Sequence, residues 1–206
     1  MNILMILLGC NIGTLLLNRL ETSFRFIETN FYTNNNFYIN TNTNTNTNNF
    51  INLLENKNST AKITWFLSGG VKNNFNGAKS EASIMKSQID NNITLKYTNP
   101  SISSYSGIIE WDFVLDEKST NTAENLFWAS HFINTTTKSF DSIYVITSDF
   151  HYKRTNLMLK LIDPSKNFKW ILGDLEEKDS RYWESIHIKN VESDVSKAKT
   201  KLQALL

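Results

Sequence analysis

The chain has 206 residues, 21 of them basic and 20 acidic for a net charge of +1, and 40% are hydrophobic. That length suits one domain with a sizeable core. The near-neutral balance, with no long Lys/Arg run, carries no electrostatic footprint for nucleic acid. One cysteine, Cys10, excludes an internal disulfide, and no Cys/His group has zinc spacing. This usage fits a reducing, cytoplasmic or other intracellular soluble compartment.

In chain order, residues 2–8 predict a buried strand that ends in Gly9-Cys10-Asn11. Its apolar run lacks the positive flank and the length of a secretion signal, and it is far too short to cross a bilayer. No membrane partner is expected. Residues 12–29 predict a helix with Ile12, Leu15, Leu16, Arg19, Ser23, Phe26 and Ile27 on one stripe. Residues 31–59 are polar and Asn-rich, alternating Asn and Thr from Asn40 to Asn48. They read as an exposed low-complexity insertion with almost nothing apolar to bury. Lys62–Leu67 predict a strand that runs into Ser68-Gly69-Gly70.

A helix is expected over 79–90, an irregular stretch over 93–107 and a strand over Ile108–Leu115. The next helix, 121–133, opens on Asn121-Thr-Ala-Glu124, a capping-box pattern. Ser142–Ile146 is a β-branched strand leading to Thr147-Ser148. A helix follows over about 149–162, stopping before Pro164. Phe168–Leu172 predict a last strand, and the tail from about 184 to 205 reads as helical. Its segment Trp183-Glu184-Ser185-Ile186-His187 reads as part of a packing helix, with no role assigned.

Strands alternating with helices imply a single α/β domain, a Rossmann-like three-layer sandwich with a mostly parallel sheet. In such sheets ligands bind beyond the carboxyl ends of the strands, where the strand order switches. The polar clusters Gly9-Cys10-Asn11, Ser68-Gly69-Gly70, Asp116-Glu117-Lys118-Ser119 and Thr147-Ser148 all follow strands, so the fold gathers them on one rim.

In Ser68-Gly69-Gly70, glycines after a strand let backbone N–H groups approach a ligand and hold an anion; an ordinary tight turn is the plainer explanation of the same residues. In the segment Thr147–Arg154, Ser148 is placed to cap the next helix and His151 falls in its first turn, where a helix favours a neutral imidazole and a nearby anion. Arg154 follows one turn later, among Phe150, Leu157 and Leu161, on a largely apolar stripe. A guanidinium there needs an anionic partner, either a ligand or a carboxylate such as Glu117. Arg19 repeats that anomaly. Glu117, Ser119, Asn121, Thr122 and Asn125 form a further set whose donors and acceptors suit a ribose or other hydroxyl-rich group. No G-x-G-x-x-G, Walker lysine or G-x-S-x-G pattern is present. Ser68, His151 and Glu117 make a hydrolytic triad on paper only.

Taken together, these motifs resemble the family of bacterial YdcF, SanA and ElyC (domain of unknown function 218). The resemblance runs over roughly residues 3–172. It is carried by Leu8-Gly9 and Arg19, Ser68-Gly69-Gly70, Ser80-Glu81-Ala82, then Glu117, Ser119, Asn121, Thr122 and Asn125, and last Thr147, Ser148, His151 and Arg154. The turn Gly9-Cys10-Asn11 has fewer glycines than that pattern, and the Asn/Thr insertion replaces a short connection. The resemblance implies a Rossmann-like domain with a polar pocket. In at least one relative that pocket is linked to S-adenosylmethionine, without an established methyl transfer.

The expected function is binding of a small anionic or nucleotide-like ligand, S-adenosylmethionine included, at the strand ends. Arg154, His151, Glu117 and the Ser68-Gly69-Gly70 turn are expected to share that site. One alternative is a hydrolase or transferase in which His151 and Glu117 act on a phosphate- or sugar-containing substrate. The other is a non-catalytic structural or interaction protein. The composition of the insertion yields a test of its own. Replacing residues 34–49 by a short Gly/Ser linker is expected to leave the thermal unfolding midpoint nearly unchanged; a large drop would show that the segment is packed.

Overall fold

The six residues from Ile3 to Leu8 are each at most 1% exposed, although side chains alternate between the two faces of a strand. Only a strand covered on both faces satisfies this. They form β1 (Asn2–Leu8), the centre of a five-stranded sheet completed by β2 (Ala61–Ser68), β3 (Ile109–Asp116), β4 (Ser142–Ser148) and β5 (Phe168–Gly173). The order is β3-β2-β1-β4-β5 and every pairing is parallel. The computed structural model describes residues 1–10, 13–32, 61–71, 79–97 and 109–205. Asn11, Ile12 and all of the Asn/Thr-rich insertion except its first two residues lie outside the described residues.

On one face, Ile3, Met5 and Leu7 of β1 pack with Ile63, Trp65 and Leu67 of β2 beneath two helices, α1 (Gly13–Ile27) and α2 (Glu81–Tyr97). On the other, Leu4, Ile6 and Leu8 meet α3 (Thr122–Thr135) and α4 (Asp149–Ile162). The chain then forms α5 (Ser180–His187), a single 3-10 turn over Ile188–Asn190, and α6 (Val191–Gln203). Val191, Val195 and Ala198 of α6 are buried against α3 and α4. The result is an α/β three-layer, Rossmann-like fold. Among the described residues no helix is long and apolar enough to cross a membrane.

Several boundaries differ from the sequence expectation for visible reasons. Helix α2 starts at Glu81 and continues through Tyr97, so residues 93–97, expected to be irregular, are helical. Ile93 lies four residues beyond Ile89 and extends the buried stripe Ala82, Met85, Ile89. Helix α1 stops at Ile27 and passes into a wider π-type turn over Glu28–Tyr32. The C-terminal helix begins earlier than expected and is broken in two. On α4 the buried face is His151, Thr155, Met158 and Leu159; Leu157 and Leu161, expected on an apolar stripe with Arg154, are 38% and 51% exposed.

The switch in strand order falls between β1 and β4. On the β1 side of it, register aligns the strand ends: Leu8 pairs with Ser68 of β2, and Ser68 with Asp116 of β3. The loops that follow are drawn together by backbone bonds, Gly9 N to Ser68 O at 2.7 Å, Gly69 N to Asp116 O at 2.9 Å and Gly70 N to Ser119 O at 2.7 Å. A Cβ at Gly70 would stand 2.6 Å from the Ser119 carbonyl oxygen and 2.9 Å from that of Glu117. Both obstacles are backbone and cannot swing aside. Gly70→Ala is therefore expected to destabilise the protein by about 1–3 kcal/mol in urea unfolding, whereas an unchanged midpoint would show that these loops yield.

Candidate functional site

The loop after β3 is organised by Asp116. Its carboxylate accepts from Ser68 Oγ at 2.5 Å, from Ser119 Oγ, and from the Lys118 and Ser119 backbone N–H groups at 3.0 and 3.3 Å. Ser68 thus serves the loop scaffold. The N–H groups of Gly69 and Gly70, read from sequence as anion donors, and that of Gly9 are all bonded to neighbouring carbonyls. Glycine is needed at 9 and 69 because the Glu81 side chain lies against both Cα atoms, where a Cβ would collide with it.

Arg19 stands at the switch point and is 3% exposed. Its Nη1 donates to the carbonyls of Leu8 at 2.9 Å and Gly9 at 3.3 Å, and its Nε to Ser148 Oγ at 3.0 Å. Ser148, expected to cap α4 with its hydroxyl, occupies the N-cap position without a side-chain cap bond; that hydroxyl is turned to Arg19. Among the described residues Arg19 makes no ion pair. Burial draws its pKa below the usual value, opposed by the neighbouring Cys10, Glu81 and Glu184.

A cavity of about 680 Å³ opens beside Arg19, at the carboxyl ends of the strands. That size suits a small organic ligand. Of the residues picked out from sequence, Gly9, Arg19, Gly70 and Glu81 line it from the β1 and β2 side. Ser119, Asn121, Thr122 and Asn125 line it from the start of α3, and His151 and Arg154 from α4. Ser68, Gly69, Ser80, Thr147 and Ser148 are buried behind this lining. Asn121 caps α3 by accepting from Glu124 N at 3.0 Å, while the Glu124 carboxylate reaches Thr120 N at 2.9 Å, one residue before a reciprocal capping box. Asn125, 6% exposed, has a side-chain oxygen with no hydrogen-bond partner among the described residues. Comparison with protein-family models, curated proteins and solved structures finds no match for this chain.

Glu117 is placed differently from expectation. Successive side chains at a strand end point to opposite sides: Asp116 turns inward, and Glu117 turns out to solvent, where it accepts from Ser80 Oγ and from Ser83 Oγ at 2.6 Å. These two bonds, against slight desolvation, hold its pKa below the usual value. It does not line the cavity, so neither the Arg154–Glu117 pair nor the Ser68–His151–Glu117 triad is formed.

Arg154 pairs instead with Glu184 of α5, Nε to Oε2 at 2.7 Å and Nη2 to Oε1 at 2.8 Å, and His151 Nδ1 lies 2.8 Å from the same Oε1. His151 Nε2 lies 3.3 Å from Thr122 Oγ1. Glu184 was missed from sequence because it sits on a short helix with no buried residue. His187, far from His151 in sequence, lines the same cavity. Burial pushes Glu184 up, but the hydrogen bonds and charges of His151 and Arg154 outweigh it and hold the carboxyl at about 2. Burial pushes His151 down to about 4; the charges of Arg154 and Arg19 add to this and Glu184 opposes it. The unfolded chain, with a pKa near 6.5, therefore takes up this proton first. The stability tied to neutral His151 is complete above about pH 6.5 and is lost as pH falls toward 4, a change on the order of 3 kcal/mol. Urea unfolding between pH 7 and 5 is expected to show that decline in the wild type and a flatter profile in His151→Asn. Parallel profiles would remove His151 as the cause.

Proposed function

We propose that the cavity at the β1/β4 switch point binds a small anionic or nucleotide-like molecule, held by Arg19. The observation that carries this reading is a guanidinium almost wholly buried, bonded among the described residues to two carbonyls and a hydroxyl, and facing a cavity. Burying a charge is costly unless an opposite charge meets it, and a carboxylate or phosphate supplies that charge in the geometry a guanidinium favours. The orphan oxygen of Asn125 asks for a donor such as a ribose hydroxyl.

S-adenosylmethionine, suggested by the resemblance to YdcF, SanA and ElyC, suits this donor set. Its carboxylate would be held by Arg19, and its ribose hydroxyls would meet Asn125. A purely structural role accounts for the bonds of Arg19 to the ends of β1 and β4 but leaves the cavity beside it without a reason. In the hydrolase or transferase alternative, the exposed position of Glu117 favours Glu184 as the carboxylate partner of His151.

Calorimetric titration of the folded protein with S-adenosylmethionine, nucleotides and sugar phosphates tests the reading. Binding of at least one is expected. Arg19→Met is expected to weaken it by more than about tenfold, the cost of losing a charged hydrogen bond, and also to lower stability by about 1–3 kcal/mol, because the Leu8 and Gly9 carbonyls and the Ser148 hydroxyl lose their donor, so affinity is read on the fraction that urea unfolding shows to be folded. Absence of binding by any of them, or binding that Arg19→Met leaves intact, would sink the proposal.

A further inference from the structure

His151 has a defined job in this cavity only if one of its ring nitrogens is committed elsewhere, and Glu184 provides that commitment. Two groups approach Nδ1: Glu184 Oε1 at 2.8 Å and Arg154 Nη2 at 3.1 Å. They demand opposite proton arrangements. A carboxylate oxygen at 2.8 Å cannot face a nitrogen lone pair without repulsion, so that contact requires a proton on Nδ1. Arg154 Nη2 has its own acceptor in the same Oε1 at 2.8 Å. Its closeness to Nδ1 follows from sharing that oxygen. Both groups are well shielded, with side-chain exposures of 8% for His151 and 14% for Glu184, so water does not compete freely for Nδ1.

We propose that Glu184 holds His151 as the Nδ1–H tautomer, so that Nε2 is a hydrogen-bond acceptor at the cavity and the ligand is one that brings a hydroxyl group to it, such as a sugar phosphate or a nucleotide. The ligand half of this proposal rests on the anion-binding reading above. Thr122 is the one described side chain hydrogen-bonded to Nε2, and 3.3 Å is long for a hydroxyl donor. A ligand hydroxyl at this point would meet two complementary groups, since Thr122 Oγ1 can either donate or accept. The charged neighbours are Arg154, Arg19 and Glu184; the first two disfavour a second proton on the ring, which keeps Nε2 available as an acceptor. Glu184 acts through His151 and is a positioning residue.

The test uses the full chain, uniformly labelled with nitrogen-15. Two-bond proton–nitrogen correlations at pH 7 distinguish the two neutral tautomers, and His151→Asn identifies the His151 signals among three histidines. The expected spectrum has a protonated Nδ1 and an unprotonated Nε2 in the wild type, and a mixture of tautomers in Glu184→Gln. Protonated Nε2 in the wild type would overturn the proposal, and sequential backbone assignment of doubly labelled wild type identifies His151 should His151→Asn not fold. Ribose 5-phosphate and inorganic phosphate are then titrated against the wild type and His151→Asn. The sugar phosphate is expected to bind about tenfold tighter than phosphate, to shift the Nε2 signal, and to lose that advantage in His151→Asn. Equal affinities in the wild type would overturn the hydroxyl assignment. Failure of both anions to bind would instead sink the anion pocket and take the ligand assignment with it, while the tautomer would still be judged by the unliganded spectrum.

Discussion

Arg19 ties together the ends of two strands that lie side by side in the sheet but far apart in the chain. Through Nη1 it gathers the last carbonyls of β1, and through Nε it holds the hydroxyl at the end of β4. In a doubly wound sheet the connections that leave two neighbouring strands diverge at the point where the strand order reverses, because they pass to opposite faces. The guanidinium fills that divergence with donors. It also leaves a positive charge in a place where carbonyl dipoles are its main company. The loops after β1 and β2, the start of α3 and the first turn of α4 all assemble around this charge, and each contributes a wall of the cavity.

Around it, charges are arranged to keep one another fixed. Glu184 binds Arg154 through two near-parallel bonds and takes His151 with one of the same oxygens. A bidentate pair of this kind sets orientation as well as energy. The imidazole is therefore held neutral by burial and by two cations, and held in place by an anion. Behind the part of the wall that Ser119 lines, Asp116 performs the corresponding task for the loop after β3 through two serines and two backbone N–H groups. Ser68 and Ser119 thus work as scaffold for the rim, and Lys201 of α6 closes on Glu124 at 2.7 Å behind the N-terminus of α3.

The layer architecture was legible because its signals are periodic. The apolar run of β1, the stripe of α1 with Arg19 on it, and the strand-then-polar-turn rhythm place the sheet and its rim without reference to contacts. Arg19 and Asn125 could be singled out because each is a polar residue among buried neighbours or where the cap role is already filled, and His151 because it falls in a helix's first turn; Arg154 stood out on a supposed apolar stripe whose Leu157 and Leu161 are in fact exposed. Their partners could not. Whether Glu117 or its neighbour Asp116 turns inward depends on where the strand ends to within one residue. Glu184 lies 30 residues beyond Arg154 on a helix with no buried side chain, so no hydrophobic period announces it. The glycine N–H groups illustrate the same limit: sequence shows that backbone can come close there, and only the fold shows that other loops do so.

The helix that carries Glu184 has a consequence for the order in which the molecule can be completed. All five strands precede it, ending at Gly173. During synthesis the sheet and the Arg19 cross-tie can form before residues 180–187 leave the ribosome. At that stage Arg154 and His151 stand at an open edge without their carboxylate. The cavity is completed only when α5 docks and Asp194 of α6 follows, and α5, which has no buried residue, is held by charge rather than by apolar area. One apolar layer closes later still, when Val191, Val195 and Ala198 of α6 pack on α3 and α4, so the carboxylate reaches Arg154 and His151 together with the last core contacts rather than after them.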